Sequence, residues 1–198
     1  MKSLVPIVEG KSEVESVGVL LRRILTADRC SWISIAKPIR VKRNQVVRQG
    51  ELERALQLAV STREGCAGIV VLLDADDDDP ELLEPSLEKR ARDVTHLPVE
   101  IVLAKKELEA WFLGAKESLR GFRGISKTAA PPDCPEEIRG AKERLSQNME
   151  AQRTYLEVDD QPAFAKKFDI QQAQARCPSL NRFIFKVGRV IEAMVALP

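Results

Sequence analysis

The sequence predicts an α/β fold: a four-stranded parallel sheet flanked by helices, with a helical C-terminal extension. Three observations lead there. Residues 68–73 (GIVVLL) carry no polar side chain, the signature of a strand buried on both faces of a parallel sheet. Strand-like apolar runs alternate with amphipathic helical segments between residues 4 and 103, a βαβαβαβ order that implies parallel strands with right-handed crossovers. Beyond residue 120 the chain turns rich in Gly and Pro and then helical.

The 198 residues suit one domain, read as a core over 1–120 and an extension over 121–198 packed on it. With 31 Lys and Arg against 30 Asp and Glu, no whole-protein field draws the chain to nucleic acid or membrane, so any such contact is local. The four cysteines are scattered without a CxxC pair, which argues against a zinc site or a disulfide framework. No apolar stretch reaches membrane-spanning length, and the N-terminus turns charged after a handful of apolar residues. A cytoplasmic protein is expected.

Taken in order, residues 4–8 (LVPIV) read as the first strand, ending at Glu9-Gly10. Ser12 and Glu15 have the spacing of a capping box, and Val14, Val17, Leu21, Ile24 and Leu25 follow at helical spacing to Ala27. Gly10-Lys11-Ser12 is not a P-loop, because Val5 stands where that loop needs its first glycine. Residues 31–39 form a second strand nearer an edge, closed by Pro38. The acid-free stretch that overlaps its end holds Lys37, Arg40, Lys42, Arg43 and Arg48, side chains that either grip a phosphate backbone or form a solvated loop. Residues 51–63 are a helix with Leu52, Ala55, Leu56 and Ala59 on one face, stopped by Gly65. After the central strand, Asp79-Pro80-Glu81 reads as N-cap, first-turn proline and first-turn acid of a helix over 80–93. Residues 97–103 are the fourth strand. Leu108, Trp111, Phe112, Ala115 and Leu119 then make a helical core face.

Residues 121–135 read as a long loop, 136–152 as a polar helix, and 153–170 as a loop leading into a short helix. Pro178 opens a last amphipathic helix with Leu180, Phe183, Ile184, Val187, Ile191 and Met194 on its apolar face. One side of the sheet, a second copy in a homodimer, or a companion protein would each bury that face.

The chemistry concentrates at the end of the central strand. Five of the six residues 74–79 are aspartate. With Asp79 spent as an N-cap, Asp74, Asp76 and Asp78 remain, and carboxylates crowded at a rigid strand end suit a hard cation such as Mg²⁺ or Mn²⁺; a solvated acidic turn is the bland alternative. An EF-hand counted from Asp74 fails, with Asp79 at its glycine position and Pro85 at its bidentate glutamate. In a parallel sheet every carboxyl end lies on one edge, so Glu9, the aspartates and the segment after Leu103 converge. Glu109 in that segment reads either as a further ligand or as a salt-bridged first-turn residue. His96, the sole histidine, precedes a strand at the opposite edge.

A glutamate-glycine pair after the first strand and an Asp-x-Asp after the third resemble the Toprim fold, the metal-binding module of topoisomerases, bacterial primases, recombination mediators and overcoming-lysogenization-defect (OLD) nucleases. VEGKSE, LLDADDDD, KELEAWFL and FDIQQAQARCPSLNRF further resemble, over nearly the whole length, a bacterial Toprim-like family of unknown function numbered 4276, often encoded beside AAA- or ABC-type ATPases in anti-phage defence loci. The resemblance implies a metal-dependent nuclease subunit in which Glu9, Asp74 and Asp76, with Glu109, serve catalysis. It also implies that Arg153 and Tyr155 are the family's basic and aromatic residues before the final helices.

Two functions follow. The first is a Mg²⁺- or Mn²⁺-dependent phosphodiesterase on DNA or RNA, with Glu9, Asp74, Asp76 and Asp78 around the metal. Lys11, Lys105 or Lys106 would meet the developing charge, and Lys11, Arg40, Lys42, Arg43 and Lys105 would contact nucleic acid. The second is a non-catalytic subunit that docks on a partner ATPase or binds nucleic acid without cutting, which the near-neutral charge favours. A topoisomerase is disfavoured, since Tyr155 is the sole tyrosine. A phosphoaspartate enzyme is disfavoured because its aspartate would follow the first strand.

Overall fold

The computed structural model describes residues 1–30, 32–151 and 153–197, the side chain of Arg43 excepted. The predicted alternation is present: β1 (Ser3–Val8), α1 (Glu13–Ala27), β2 (Ser34–Ile35), β3 (Ile39–Arg40), α2 (Arg43–Val46), α3 (Glu51–Thr62), β4 (Cys66–Asp74), α4 (Pro80–Arg92) and β5 (Val99–Ala104). There follow α5 (Glu109–Gly114), α6 (Ala141–Gln147), α7 (Glu157–Lys167), α8 (Ile170–Gln174) and α9 (Pro178–Ala196), with short 3-10 turns at Lys116–Leu119 and Pro135–Glu137.

All paired strands are parallel, in the order β2-β1-β4-β5. The expected second strand is realised as two dipeptides, β2 and β3, that pair with opposite ends of β1; its start at Ser31 lies outside the described residues. Proline lacks the N–H that a ladder needs, and Pro38 lies in the gap between the two. β4 is central, pairing with β1 along Leu4–Val8 and with β5 up to Asp74 opposite Ala104.

Side chains alternate between two apolar layers. Leu4, Val8, Val70, Leu72 and Val102 face a core shared with α1, α5, α7 and α9. Val5, Ile7, Ile69, Val71, Leu73, Ile101 and Leu103 face a smaller core under α3 and α4. A strand buried on both sides needs that unbroken apolar run. The apolar face of α9 covers the sheet itself: a Cβ on Gly68 would stand 2.6 Å from Val190 Cγ1 and 2.7 Å from Met194 Sδ, so only glycine lets the helix approach β4 so closely.

The outer edge of β5 is covered by charged side chains. Leu103 N–H donates to Glu84 at 2.8 Å, while Arg182 and Lys186 donate to the carbonyls of Leu103 (3.1 Å) and Ile101 (2.7 Å). Those contacts occupy groups that would otherwise template another strand.

Several local expectations are corrected. Ser12 precedes α1 without a side-chain cap, because its hydroxyl donates to Glu157 at 2.7 Å instead. The helix expected over 136–152 is confined to Ala141–Gln147; Glu136 is buried, accepting the N–H of Ser179 at 3.1 Å. The segment 153–170 holds an eleven-residue helix, α7, disguised by its internal Pro162. Its acids in the first turn and lysines in the last are the arrangement that a helix dipole favours. Asp79 caps α4 as expected, accepting Glu81 N–H at 2.9 Å, and Trp111 and Phe112 are core. No helix among the described residues is long and apolar enough to cross a membrane.

Candidate active site

Because the strands run parallel, the turns after β1, β4 and β5 open on one edge of the sheet. Glu9 sits in the first of these turns, Asp74 closes β4, and Glu109 begins α5 beyond β5. A fourth carboxylate, which the sequence reading missed, joins them: Glu13, buried at the start of α1, accepts the backbone N–H of Glu9 at 3.1 Å. Its only sequence signal is its place four residues after Glu9 on the first turn of a helix that follows a strand.

These acids feel one another. Burial, reinforced by the charges of Glu13, Glu109 and Glu9, raises the Asp74 carboxyl well above its ordinary range. Burial also lifts Glu13 to about 7, with Glu109 and Glu9 adding to it against the backbone N–H groups of Gly10 and Glu9. Glu109, fully buried, is raised by its burial and drawn back by Lys142 and Gln161. Asp74 also has a structural duty, since its Oδ1 accepts Leu108 N–H at 2.8 Å and ties β4 to the start of α5.

The C-terminal third encloses this edge. Glu109 Oε1 accepts from the Tyr155 hydroxyl and from Gln161 Nε2, both at 3.0 Å. Lys142 on α6 pairs with Glu157 at 3.1 Å, and Glu157 also accepts from Ser12. Burial pulls the Lys142 ammonium down, but Glu109, Glu157 and Asp74 outweigh it and hold the group above its usual range. Lys142, Glu157 and Gln161 lie more than 30 residues from Glu109 in sequence and carry no motif. Tyr155, expected as an aromatic, is here a hydrogen-bond donor to a site carboxylate. Arg153, expected as a basic residue, is bound with Arg123 to the buried Asp160, at 3.0 and 2.6 Å.

The other aspartates stand further out. Asp76 is exposed on the turn after β4 in a left-handed conformation (φ 51°), its N–H donating to Lys106 O at 3.1 Å. Asp78 is exposed and closes the turn onto Ala75 O at 2.9 Å. Asp77 pairs with Arg139.

Basic side chains flank the acids on both sides. Arg40, at the end of β3 opposite Val8, donates to Glu9 O at 3.1 Å; Lys11 and Lys42 are exposed nearby. The Arg43 side chain lies outside the described residues. On the β5 side, Lys105 is paired with Glu137. His96 is exposed at the opposite edge.

Among the described residues, no three His, Cys, Asp or Glu side chains are grouped so as to hold a metal ion as they stand. The donor chemistry does suit one. The cluster offers only hard carboxylate oxygens whose charges oppose one another, and Glu109 Oε2 is buried with no hydrogen-bond partner among the described residues.

The family model described as Domain of unknown function (DUF4276) matches residues 8–187 of the chain. No curated protein matches it. Among solved structures the chain is similar to the C-terminal region of the Xanthomonas campestris pv. campestris OLD protein, at 14% identity and a TM-score of 0.43, covering 97% of this chain and 96% of that one.

Proposed function

We propose that this chain, which belongs to the family described as Domain of unknown function (DUF4276), is a Toprim-like, Mg²⁺- or Mn²⁺-dependent phosphodiesterase acting on DNA or RNA. One observation carries the reading: Glu9, Glu13, Asp74 and Glu109 come from three strand ends to one edge, where burial and the other three acids raise Asp74, and burial with Glu109 and Glu9 raises Glu13. Four partly desolvated acids in one another's field make a costly arrangement unless a cation offsets it.

Glu9, Glu13, Asp74 and Glu109 would hold the cation, with Asp76 and Asp78 at its outer rim. A bound divalent ion would neutralise a non-bridging phosphate oxygen and lower the pKa of water. Glu9, half-buried at the mouth of the edge, would take a proton from that water. Lys142, kept charged by its carboxylate neighbours, would meet charge developing on the phosphate. Lys11, Arg40, Lys42, Arg43 and Lys105 would hold the strand by its phosphates, a contact without sequence preference.

By its family resemblance such an enzyme would serve as the effector subunit of an AAA- or ABC-type ATPase in anti-phage defence. Plasmid and single-stranded RNA cleavage with Mg²⁺ and Mn²⁺, on wild type and Asp74→Ala, tests the chemistry. Cleavage lost in the variant supports it, and metal-dependent cleavage undiminished in Asp74→Ala refutes it. One observation favours a second reading, a non-catalytic subunit: the absence, among the described residues, of a ready three-ligand group. Folded wild type that neither binds Mg²⁺ nor cuts would establish that reading instead.

A further inference from the structure

The two oxygens of Glu109 stand in different surroundings. Oε1 accepts two hydrogen bonds, from the Tyr155 hydroxyl and Gln161 Nε2, both at 3.0 Å. Oε2 is buried and has no hydrogen-bond partner among the described residues. A carboxylate can only accept, so Gln161 must turn its NH₂ toward Glu109; its own oxygen then meets Ser16 Oγ at 2.7 Å, which fixes the amide. The Tyr155 ring packs on Phe164 with centroids 5.8 Å apart, and its backbone N–H donates to Ser146 Oγ at 3.0 Å. Both donors to Oε1 are therefore held from behind.

We propose that Tyr155 and Gln161 are positioning residues that occupy Glu109 Oε1 and leave Oε2 as a one-oxygen ligand, so that the site prefers Mg²⁺ or Mn²⁺ to Ca²⁺. Ca²⁺ takes six to eight oxygens and readily accepts both oxygens of one carboxylate, whereas Mg²⁺ demands a compact octahedron. A glutamate with one oxygen spent offers Ca²⁺ less than it offers Mg²⁺. The inference rests on reading the acidic edge as a divalent-cation site.

The test is calorimetric titration of the full chain with Mg²⁺, Mn²⁺ and Ca²⁺, for wild type, Tyr155→Phe, Gln161→Met and the double variant, with thermal melts on each. Loss of such outer hydrogen bonds costs about 10- to 100-fold in metal affinity. The expected result is that loss for Mg²⁺ with a smaller loss for Ca²⁺, so that the ratio of Ca²⁺ to Mg²⁺ affinity rises about tenfold. An equal fall for all three ions, the mark of a merely structural role, overturns the proposal, as does an unchanged ratio. Wild type that binds cations through Asp74 while the variants match it refutes the positioning role alone. Folded wild type that binds no divalent cation refutes both this and the reading beneath it. Gln161→Met touches the same oxygen as Tyr155→Phe, so either variant decides the matter if the other fails to fold.

Discussion

The carboxylate of Glu13 accepts the backbone N–H of Glu9 at 3.1 Å and thereby ties the turn after β1 to the first residue of α1. A Cβ on Gly10 would stand 2.8 Å from Glu13 Oε1. Gly10 is thus the space that lets the Glu13 carboxylate lie against the turn. The glutamate-glycine pair and the glutamate four residues after Glu9 form one device.

Gly10→Ala should separate stability from function. The atom in the way is the far end of a flexible side chain, so the protein should fold, losing about 1 kcal/mol with the displaced hydrogen bond. Cation affinity measured by calorimetry should fall about tenfold. Unchanged affinity would remove Glu13 from the site.

The pH dependence of Glu13 has a definite sign. Its carboxyl is raised from 4.5 to about 7 in the folded chain, so the native state binds the proton more tightly than the unfolded state does. Native stability therefore falls as pH rises between those values. Glu13→Gln should stabilise the cation-free protein at pH 8 by on the order of 2 kcal/mol and give no gain at pH 4. Denaturant melts at both pH values check this, and a loss at pH 8 would contradict it.

Glu53 has the opposite sign. Its hydrogen bonds from Arg90, at 2.7 and 2.8 Å, hold the carboxyl near 2, and Arg90 also donates to the carbonyls of Val47 and Arg48. That stabilisation is present above the ordinary value of 4.5 and is lost as pH falls toward 2. Glu53→Gln should destabilise by about 1–2 kcal/mol at pH 7, and the difference from wild type should shrink to nothing at the acid end. A difference that persists at pH 2 would point to packing instead.

Lys142→Met should expose the repulsion among the site acids. Without the ammonium, Glu109, Glu157 and Asp74 lose a shared counter-charge. The cation-free variant should melt lower than wild type, and Mg²⁺ should raise its Tm by more than it raises that of wild type. Equal shifts in scanning calorimetry would mean that Lys142 and the cation do not share those carboxylates.

The aspartate run should sort by position. Asp77 pairs with Arg139 where both side chains are more than two-thirds exposed, so Asp77→Asn should change stability by less than about 0.5 kcal/mol and leave cation affinity intact. Asp74→Ala should abolish binding and also cost the Leu108 N–H its acceptor. Asp77→Asn matching the Asp74 loss would overturn this ordering.

By itself the sequence determined the layered parallel architecture and the edge at which Glu9, Asp74 and Glu109 meet. An unbroken apolar run such as residues 68–73 has one economical fate, burial on both faces, and parallel strands then put Glu9, Asp74 and Glu109 at the same end. Proline at the start of α4 and Asp79 before it were legible because capping is decided by neighbouring backbone groups. The split of the second strand and the length of α7 were not, since Pro38 and Pro162 blur the local period and packing overrides them. Only the tertiary structure brought Lys142, Tyr155, Glu157 and Gln161 to the acids, and drew Glu13 back onto Glu9. Contacts between residues tens of positions apart leave no periodicity in the chain, and whether a carboxylate is solvated or desolvated depends on what later segments fold over it.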